Sequence, residues 1–199
     1  MLSVVHGVAW QRDQSQLVSY DESYFNKCAG YEGSEIANAI NRGRVEFVAK
    51  HYCPVSPVLD IGIGSGEFIR SRKARTYGMD VNPKAVEWLK ESGLWADELL
   101  KFSAFTMWDV IEHCPEPESY LDQMGPGSYL FTSIPIFNDL TRIRESKHYR
   151  PGEHLYYWTR QGFVMWMQMH GFECLEVSDF ETRAGRDSIL SFAFRKCDG

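Results

Sequence analysis

A glycine-rich turn between a short apolar run and a helical pattern restricts the fold of this chain more than any other feature. Residues 57–61 form an apolar run that predicts a buried strand. Gly62, Gly64 and Gly66 follow it directly, and residues 67–74 have the pattern of a helix. Glycine has no Cβ, so the backbone can turn sharply here, adopt positive φ and approach a ligand closely. The sequence therefore predicts an α/β protein with a ligand site at the end of this strand.

The rest of the chain alternates between strand and helix patterns. Strands are predicted at residues 76–81, 102–108, 128–134, 172–177 and 189–194, and helices at 34–52, 82–93, 117–124 and 159–170. This alternation predicts a three-layer, Rossmann-like fold in which helices cover both faces of a mostly parallel sheet. No helix separates the last two strands, so we expect the last strand to run antiparallel. We expect one domain over residues 1–199, with a helical or lid segment at 1–52 and a substrate-side insertion at 138–158.

Acidic residues around the glycine turn indicate which cofactor it accepts. Dinucleotide-binding turns have a small residue where this chain has Glu67, and a carboxylate there would repel a pyrophosphate. S-adenosylmethionine (SAM) has no phosphate but carries a sulfonium and an ammonium group. Asp60 can orient the turn and face that ammonium, and Asp80, at the end of the next predicted strand, can accept hydrogen bonds from both ribose hydroxyls. Asp80 could instead be part of a helix cap. The pattern favours SAM over a dinucleotide.

Three segments, in this order, resemble the class I SAM-dependent methyltransferases: VLDIGIGSG at 58–66, YGMDVNP at 77–83 and TMWDVIEHCPEP at 106–117. Within that class the chain is most similar to the group of ubiquinone-biosynthesis O-methyltransferases, whose tail it shares in EHL at 153–155, Thr159 and GF at 171–172. The resemblance implies a seven-stranded sheet and SAM as the cofactor. By matching position, it assigns Asp60, Gly62, Gly64 and Gly66 to the methionine end of SAM and Asp80 to the ribose. Val81, next to Asp80, is also a candidate cofactor contact.

Further cofactor contacts are expected near the adenine and the methyl group. The similar enzymes commonly have an aspartate at the start of a strand where this chain has Ser103, so we take Asp97 as the candidate for the adenine. Trp108 and Asp109 end the central strand and are predicted to contact the cofactor. Trp108 could equally be a core aromatic.

Glu112 and His113 form the candidate catalytic pair. Methyl transfer is an in-line displacement, so the enzyme mainly orients the reactants and excludes water. In the similar O-methyltransferases this pair lies near the substrate, where His113 could take a proton from an incoming hydroxyl. The pair could equally anchor the loop that follows it.

Two known DNA methyltransferase motifs are missing from the corresponding positions. The segment SIPIF at 133–137 differs from the motif that grips an exocyclic amine. The order of Cys114 and Pro115 is the reverse of that in the cytosine C5 enzymes. Methylation of DNA bases is therefore disfavoured.

Two regions are expected to cover the acceptor side of the site. Residues 20–31 are rich in aromatic side chains and include Tyr24, a candidate substrate contact. The insertion at 138–158 supplies His148, Arg150, His154 and Tyr156, which could bind an anionic or hydroxylated small molecule. The alternatives are peripheral packing of the aromatic residues and a solvated face for the basic ones.

Composition narrows the classes of function. A net charge of −6 disfavours a nucleic-acid partner, and the scattered histidines and cysteines have no metal-site spacing, so we predict no metal. No apolar run approaches the roughly 20 residues that span a bilayer, and no secretory signal is visible, so we expect a cytoplasmic protein without a membrane partner. The leading hypothesis is a SAM-dependent methyltransferase acting on a small molecule, most favourably on oxygen. A non-catalytic SAM-binding module, an NAD-dependent oxidoreductase and an RNA-modifying methyltransferase are the alternatives.

Overall fold

The computed structural model describes residues 2–11, 18 and 33–198. The described strands, in chain order, are β1 Leu2–Val5, β2 Val8–Gln11, β3 Val58–Ile61, β4 Thr76–Met79, β5 Ala104–Trp108, β6 Tyr129–Pro135, β7 Tyr156–Trp158, β8 Phe172–Ser178 and β9 Ile189–Lys196. The helices are α1 Glu35–His51, α2 Glu67–Arg72, α3 Pro83–Glu91, α4 Glu118–Leu121, α5 Arg160–Met169 and α6 Phe180–Arg183. Three 3₁₀ turns connect some of these elements: Leu99–Lys101, Ile111–His113 and Leu140–Glu145.

Three helices begin at the capping residues that the sequence predicted. The side chain of Ser34 accepts an N–H of the first turn of α1 at 3.1 Å, and that of Thr159 accepts one from α5 at 3.0 Å. Asn82 does the same for α3 at 2.9 Å, with Pro83 in the first helical position. Each cap satisfies a backbone donor that would otherwise have no partner. None of the described helices is long and apolar enough to cross a membrane.

The central sheet has six strands in the order β4-β3-β5-β6-β9-β8. Strands β4, β3, β5 and β6 are parallel, and β9 runs antiparallel to both of its neighbours. The predicted α/β, Rossmann-like fold with an antiparallel last strand is therefore confirmed. Because the parallel strands all end at one edge, loops that are distant in sequence meet there.

The prediction of a seventh strand is wrong, because in its place the described chain forms one isolated bridge between Gly78 and Trp95. Gly78 N–H donates to the Leu94 carbonyl at 2.9 Å, and Ala96 N–H donates to the Gly78 carbonyl at 3.0 Å. The physical reason is length, because few residues separate the end of α3 from the 3₁₀ turn Leu99–Lys101. The chain touches the sheet edge there and leaves it again.

Alternate residues of the central strands pack on opposite faces of the sheet. In β5, Phe105 and Met107 belong to the larger core on one face, and Ala104 and Trp108 belong to the core under α1 on the other. This alternation is expected of a strand that is covered on both sides. Burying β5 completely places its carboxyl end, and the loop after it, on rigid support.

A second, three-stranded sheet joins the beginning of the chain to the predicted insertion. β1 and β2 form an antiparallel hairpin, and β2 pairs with β7, with Val8 opposite Trp158. Within the segment 1–52, expected to be helical or a lid, residues 2–11 form the β1–β2 hairpin, and β2 pairs with the edge of β7. The prediction of helix α1 is confirmed. The predicted aromatic lid, residues 20–31, lies outside the described residues.

Candidate active site

A cavity of about 990 Å³ opens where β3, β4 and β5 end. Its lining extends from the glycine turn on one side to the 3₁₀ turn Ile111–His113 on the other. In open α/β sheets, ligands bind at these carboxyl ends. The cavity lies where the sequence predicted a ligand, and its size suits a nucleoside cofactor together with a small second ligand.

The glycine turn has the left-handed backbone that three alternating glycines allow. The φ angle is +74° at Gly62 and +56° at Gly64. A Cβ on Gly62 would lie 2.5 Å from a methyl carbon of Val110, so no larger residue fits there. A Cβ on Gly64 would meet no described atom within 4 Å, and the Gly64 N–H points at Asp80 Oδ2 at 3.3 Å. The turn therefore leaves open space for a ligand beside Gly64.

Two carboxylates form the wall of the cavity next to this turn. Asp60 is 1% exposed and accepts a 2.6 Å hydrogen bond from Thr106 Oγ1. Burial raises the pKa of Asp60 to about 7. Asp80 accepts the N–H of Asn82 at 2.8 Å, and burial raises its pKa as well. Neither acid forms an ion pair with a described side chain, so this part of the cavity favours a cationic ligand.

A partly buried ion network stands behind the loop that follows β5. Asp109 has a φ of +56°, and its carboxylate accepts hydrogen bonds from Arg44 at 2.9 Å and from Arg186 at 2.8 and 2.9 Å. Both arginines also bind the buried Glu181, and the Arg44 guanidinium lies 4.9 Å from the centre of the Trp108 ring. Although burial opposes it, the two arginines hold the pKa of Asp109 well below its usual range. The charge of Asp109 is thus balanced within the protein.

Glu112, His113 and His154 meet on the opposite side of the cavity. Leu155 N–H donates to the carbonyl oxygen of Glu112 at 2.7 Å, and this backbone bond joins two segments that are distant in sequence. The rings of His113 and His154 have centres 4.6 Å apart and are nearly perpendicular. Glu112 Oε1 lies 3.8 Å from His113 Nε2.

Burial sets the protonation of this group. His113 Nδ1 lies 2.8 Å from the carbonyl oxygen of Glu153, which places the proton on Nδ1 and leaves a lone pair on Nε2. Burial lowers the pKa of His113, and burial with His113 nearby lowers that of His154 to about 3. Burial raises the pKa of Glu112 well above its usual value. Both imidazoles are therefore neutral at pH 7.

Comparison with known proteins identifies the family. A family model described as a methyltransferase domain matches residues 33–177, which is most of the chain. The chain belongs to this family. No curated protein sequence matches it.

Solved structures of methyltransferases share its fold. A SAM-dependent methyltransferase from Aquifex aeolicus has a TM-score of 0.61 and 16% identity, over 86% of this chain and 98% of its own. A didemethyltoxoflavin N-methyltransferase from Burkholderia thailandensis, solved with S-adenosylhomocysteine, has a TM-score of 0.61 and 15% identity, over 88% and 84%. An N-methyltransferase from Bradyrhizobium japonicum has a TM-score of 0.60 and 14% identity, over 91% of this chain and 100% of its own. The predicted class I SAM-dependent methyltransferase, with SAM as cofactor, is confirmed.

Most of the predicted cofactor residues of this methyltransferase lie together. The cavity is lined by Asp60, Gly62, Gly64, Asp80, Val81, Trp108 and Asp109. Trp108 is also a core aromatic, with its ring centre 5.5 Å from that of Phe68. Two of the predicted cofactor residues, Gly66 and Asp97, do not line the cavity. Gly66 backs onto the Trp88 ring at the start of α2, and Asp97 is exposed beyond the shortened edge of the sheet.

The predicted acceptor-side residues divide into two groups. Glu112, His113, His148, Arg150 and His154 line the cavity of the methyltransferase. Tyr156 does not, because its hydroxyl donates to the Pro115 carbonyl and its ring stacks on Trp158. Tyr24 lies outside the described residues.

Part of the basic insertion at 138–158 forms a solvated face, which was the alternative to substrate binding. Arg142 pairs with Glu145, and Lys147 pairs with Asp187, on exposed surface. Sequence reasoning missed Arg44 and Arg186, which line the cavity, because nothing in their local patterns connects them with Asp109.

Proposed function

We propose that this methyltransferase transfers the methyl group of SAM to a hydroxyl oxygen of a small molecule. The observation that carries the proposal is one continuous cavity with two chemically different ends. One end has the acids Asp60 and Asp80, and the other has the buried group Glu112, His113 and His154. The first end suits a cationic cofactor, and the second suits an acceptor that has to lose a proton.

The cofactor end fits SAM on the evidence of its own side chains. Asp60 and Asp80 have no ion pair among the described residues, and the backbone beside Gly64 borders open space. We assign Asp60, with the backbone of Gly62 and Gly64, to the methionine end, and Asp80 with Val81 to the ribose. Trp108 would limit the access of water from the core side. Bound SAM supplies an electrophilic methyl group.

The acceptor end presents a positioned lone pair. The Glu153 carbonyl holds the ring of His113 by Nδ1, so that Nε2 faces Glu112 and the cavity. A hydroxyl is a weak nucleophile until its proton begins to leave, and an adjacent neutral imidazole assists that step. His113 is therefore the proposed activating group, with Glu112 beside it. Arg150, paired with Glu153 at 3.0 Å, offers a cation to an acidic group of the acceptor.

The cofactor assignment is tested by SAM titration calorimetry on two matched aspartate variants. Asp80→Asn should weaken SAM binding at least about tenfold, since it removes a charge-assisted acceptor. Asp97→Asn, the control, should leave SAM affinity unchanged because Asp97 is exposed outside the cavity. Equal losses in both variants, or a loss confined to Asp97→Asn, would contradict the assignment.

The reaction is tested by following S-adenosylhomocysteine formation against a panel of hydroxylated and aminated small molecules, with product masses. We expect turnover with a hydroxylated acceptor, and a fall of about 10²–10⁴-fold in kcat for His113→Ala with little change in SAM affinity. Tight SAM binding without turnover across the panel would favour the non-catalytic module. Turnover confined to amines would overturn oxygen as the acceptor atom.

A further inference from the structure

The fold assembles a metal-binding donor set that no spacing in the sequence predicted. Glu112, His113 and His154 each offer one ligand atom, and these atoms lie within 4.8 Å of one another. We propose that the three residues bind a divalent first-row transition-metal cation on the acceptor side of the cavity. The proposal goes beyond methyl transfer and does not depend on oxygen being the acceptor atom.

Two of the three residues in this cluster, Glu112 and His154, have buried donor atoms with no hydrogen-bond partner among the described residues. Glu112 is 1% exposed, and neither of its carboxylate oxygens has a hydrogen-bond partner among the described residues. His154 is 4% exposed, and its Nδ1 also has no hydrogen-bond partner among the described residues. Buried polar atoms normally have partners, and a buried carboxylate without one is costly. A cation bound between them would satisfy both residues at once.

The third residue is already oriented as a ligand. His113 donates Nδ1–H to the Glu153 carbonyl at 2.8 Å, which directs the Nε2 lone pair toward Glu112. Histidines that bind metals usually donate their other ring N–H to a carbonyl or a carboxylate in this way. The backbone bond from Leu155 to Glu112 fixes the distance between the two segments that supply the ligands.

The spacing of the cluster is close to that of a metal site. Bonds of 2.0–2.1 Å in a tetrahedral site place ligand atoms about 3.3 Å apart. The observed limit of 4.8 Å therefore needs an inward movement of roughly 1.5 Å at most, which side-chain rotation supplies.

The ligand chemistry selects the class of ion. Two imidazoles and one carboxylate form a site for zinc or for another first-row divalent cation, whereas magnesium prefers oxygen ligands. Three protein ligands leave coordination positions open, and these positions face the cavity because all three residues line it. A hydroxylated acceptor could bind there, and its proton would then be lost more readily. In that case His113 activates the acceptor through the ion it ligates.

The experiment uses the chelator-treated full chain without SAM or acceptor. Co²⁺ is titrated while the visible absorption of the cobalt is recorded. In a parallel sample the chain is incubated with Zn²⁺, passed through gel filtration, and its bound zinc is measured by elemental analysis. We expect one ion per chain for the wild type. Glu112→Gln and His154→Ala should each weaken Co²⁺ binding at least about 100-fold, since the loss of a direct ligand exceeds the 10–100-fold typical of outer-shell changes.

His148→Ala is the matched control for metal binding. His148 lines the same cavity, but its Nε2 contacts the Asp187 carbonyl and it lies outside the cluster. This variant should bind Co²⁺ as the wild type does. An equal loss in His148→Ala, unaltered binding in folded Glu112→Gln, or no binding by the wild type would each overturn the proposal.

A second measurement avoids dependence on variants that fail to fold. X-ray absorption of the wild type with zinc bound should show two imidazole ligands, and fewer than two would refute the assignment. If the protein transfers methyl groups but binds no ion, the metal-site proposal is refuted and the proposed reaction stands. Metal binding without methyl transfer would do the reverse.

Discussion

Replacing Asp60 with asparagine tests whether ionising this buried carboxyl group lowers the stability of the fold. Burial raises the pKa of Asp60 from its usual 3.8 to about 7. This difference of about 3 pH units corresponds to about 4 kcal/mol, at about 1.36 kcal/mol per unit. Asparagine keeps the shape of the side chain and can still accept the hydrogen bond from Thr106.

The sign of the effect follows from the direction of the shift. Because the pKa of Asp60 is higher in the folded protein than in the unfolded chain, this residue stabilises the fold at low pH. That contribution is lost as the pH rises from about 4 to about 7 and is then constant. Asparagine does not titrate, so the variant should gain up to about 4 kcal/mol relative to the wild type over this pH range.

Urea unfolding of both proteins at several pH values measures that difference directly. SAM titrations over the same range supply a second readout. SAM favours the ionised acid, so wild-type affinity should fall up to tenfold for each pH unit below about 7. The variant should bind SAM more weakly at pH 8 and show less pH dependence. A stability difference that stays constant from pH 4 to pH 8 would refute the reasoning.

Three further substitutions probe separate parts of the structure. Gly162→Ala would place a Cβ 2.0 Å from the carbonyl oxygen of Gly7, so we expect a loss of about 1–3 kcal/mol in urea unfolding, and an unchanged midpoint would contradict this contact. Gly64→Ala should lower the free energy of unfolding by about 1–2 kcal/mol, because alanine disfavours the left-handed backbone at this position. Its Cβ would also enter the cavity, so the affinity for SAM, measured by calorimetry, should fall about tenfold or more. Unchanged affinity would mean that Gly64 does not border the cofactor. Arg186→Met leaves Asp109 and Glu181 with one arginine between them, so thermal unfolding should show a loss of about 3–5 kcal/mol in the free energy of unfolding. A loss below about 1 kcal/mol would mean that the ion network contributes little to stability.

The cofactor side could be predicted from sequence because its parts are close together in the chain. Asp60, the glycines at 62 and 64, and Asp80 fall within about two dozen residues and follow two adjacent strands. Short-range rules for strands, turns and caps are sufficient there. The family resemblance, in contrast, implied one strand too many, because the short stretch after α3 makes a single bridge at Trp95.

The acceptor side could not be predicted because it depends on distant contacts. Asp109 meets Arg44 and Arg186, which belong to other parts of the chain, and His154 reaches Glu112 through the backbone of Leu155. No local pattern encodes such pairs. The same limit explains why the spacing of the histidines in the sequence did not bring His113 and His154 together.

The small sheet at the start of the chain has a consequence for the order of assembly. Gln11 N–H donates to the Leu155 carbonyl, and the Gln11 amide donates to the carbonyl of His154. Contacts between residues so distant in sequence close large loops and tend to form late. During synthesis, the strand and turn around Asp60 can therefore become ordered well before the wall that contains His154. In the folded protein, amide hydrogen exchange should be faster at β2 and β7 than at β3 and β5.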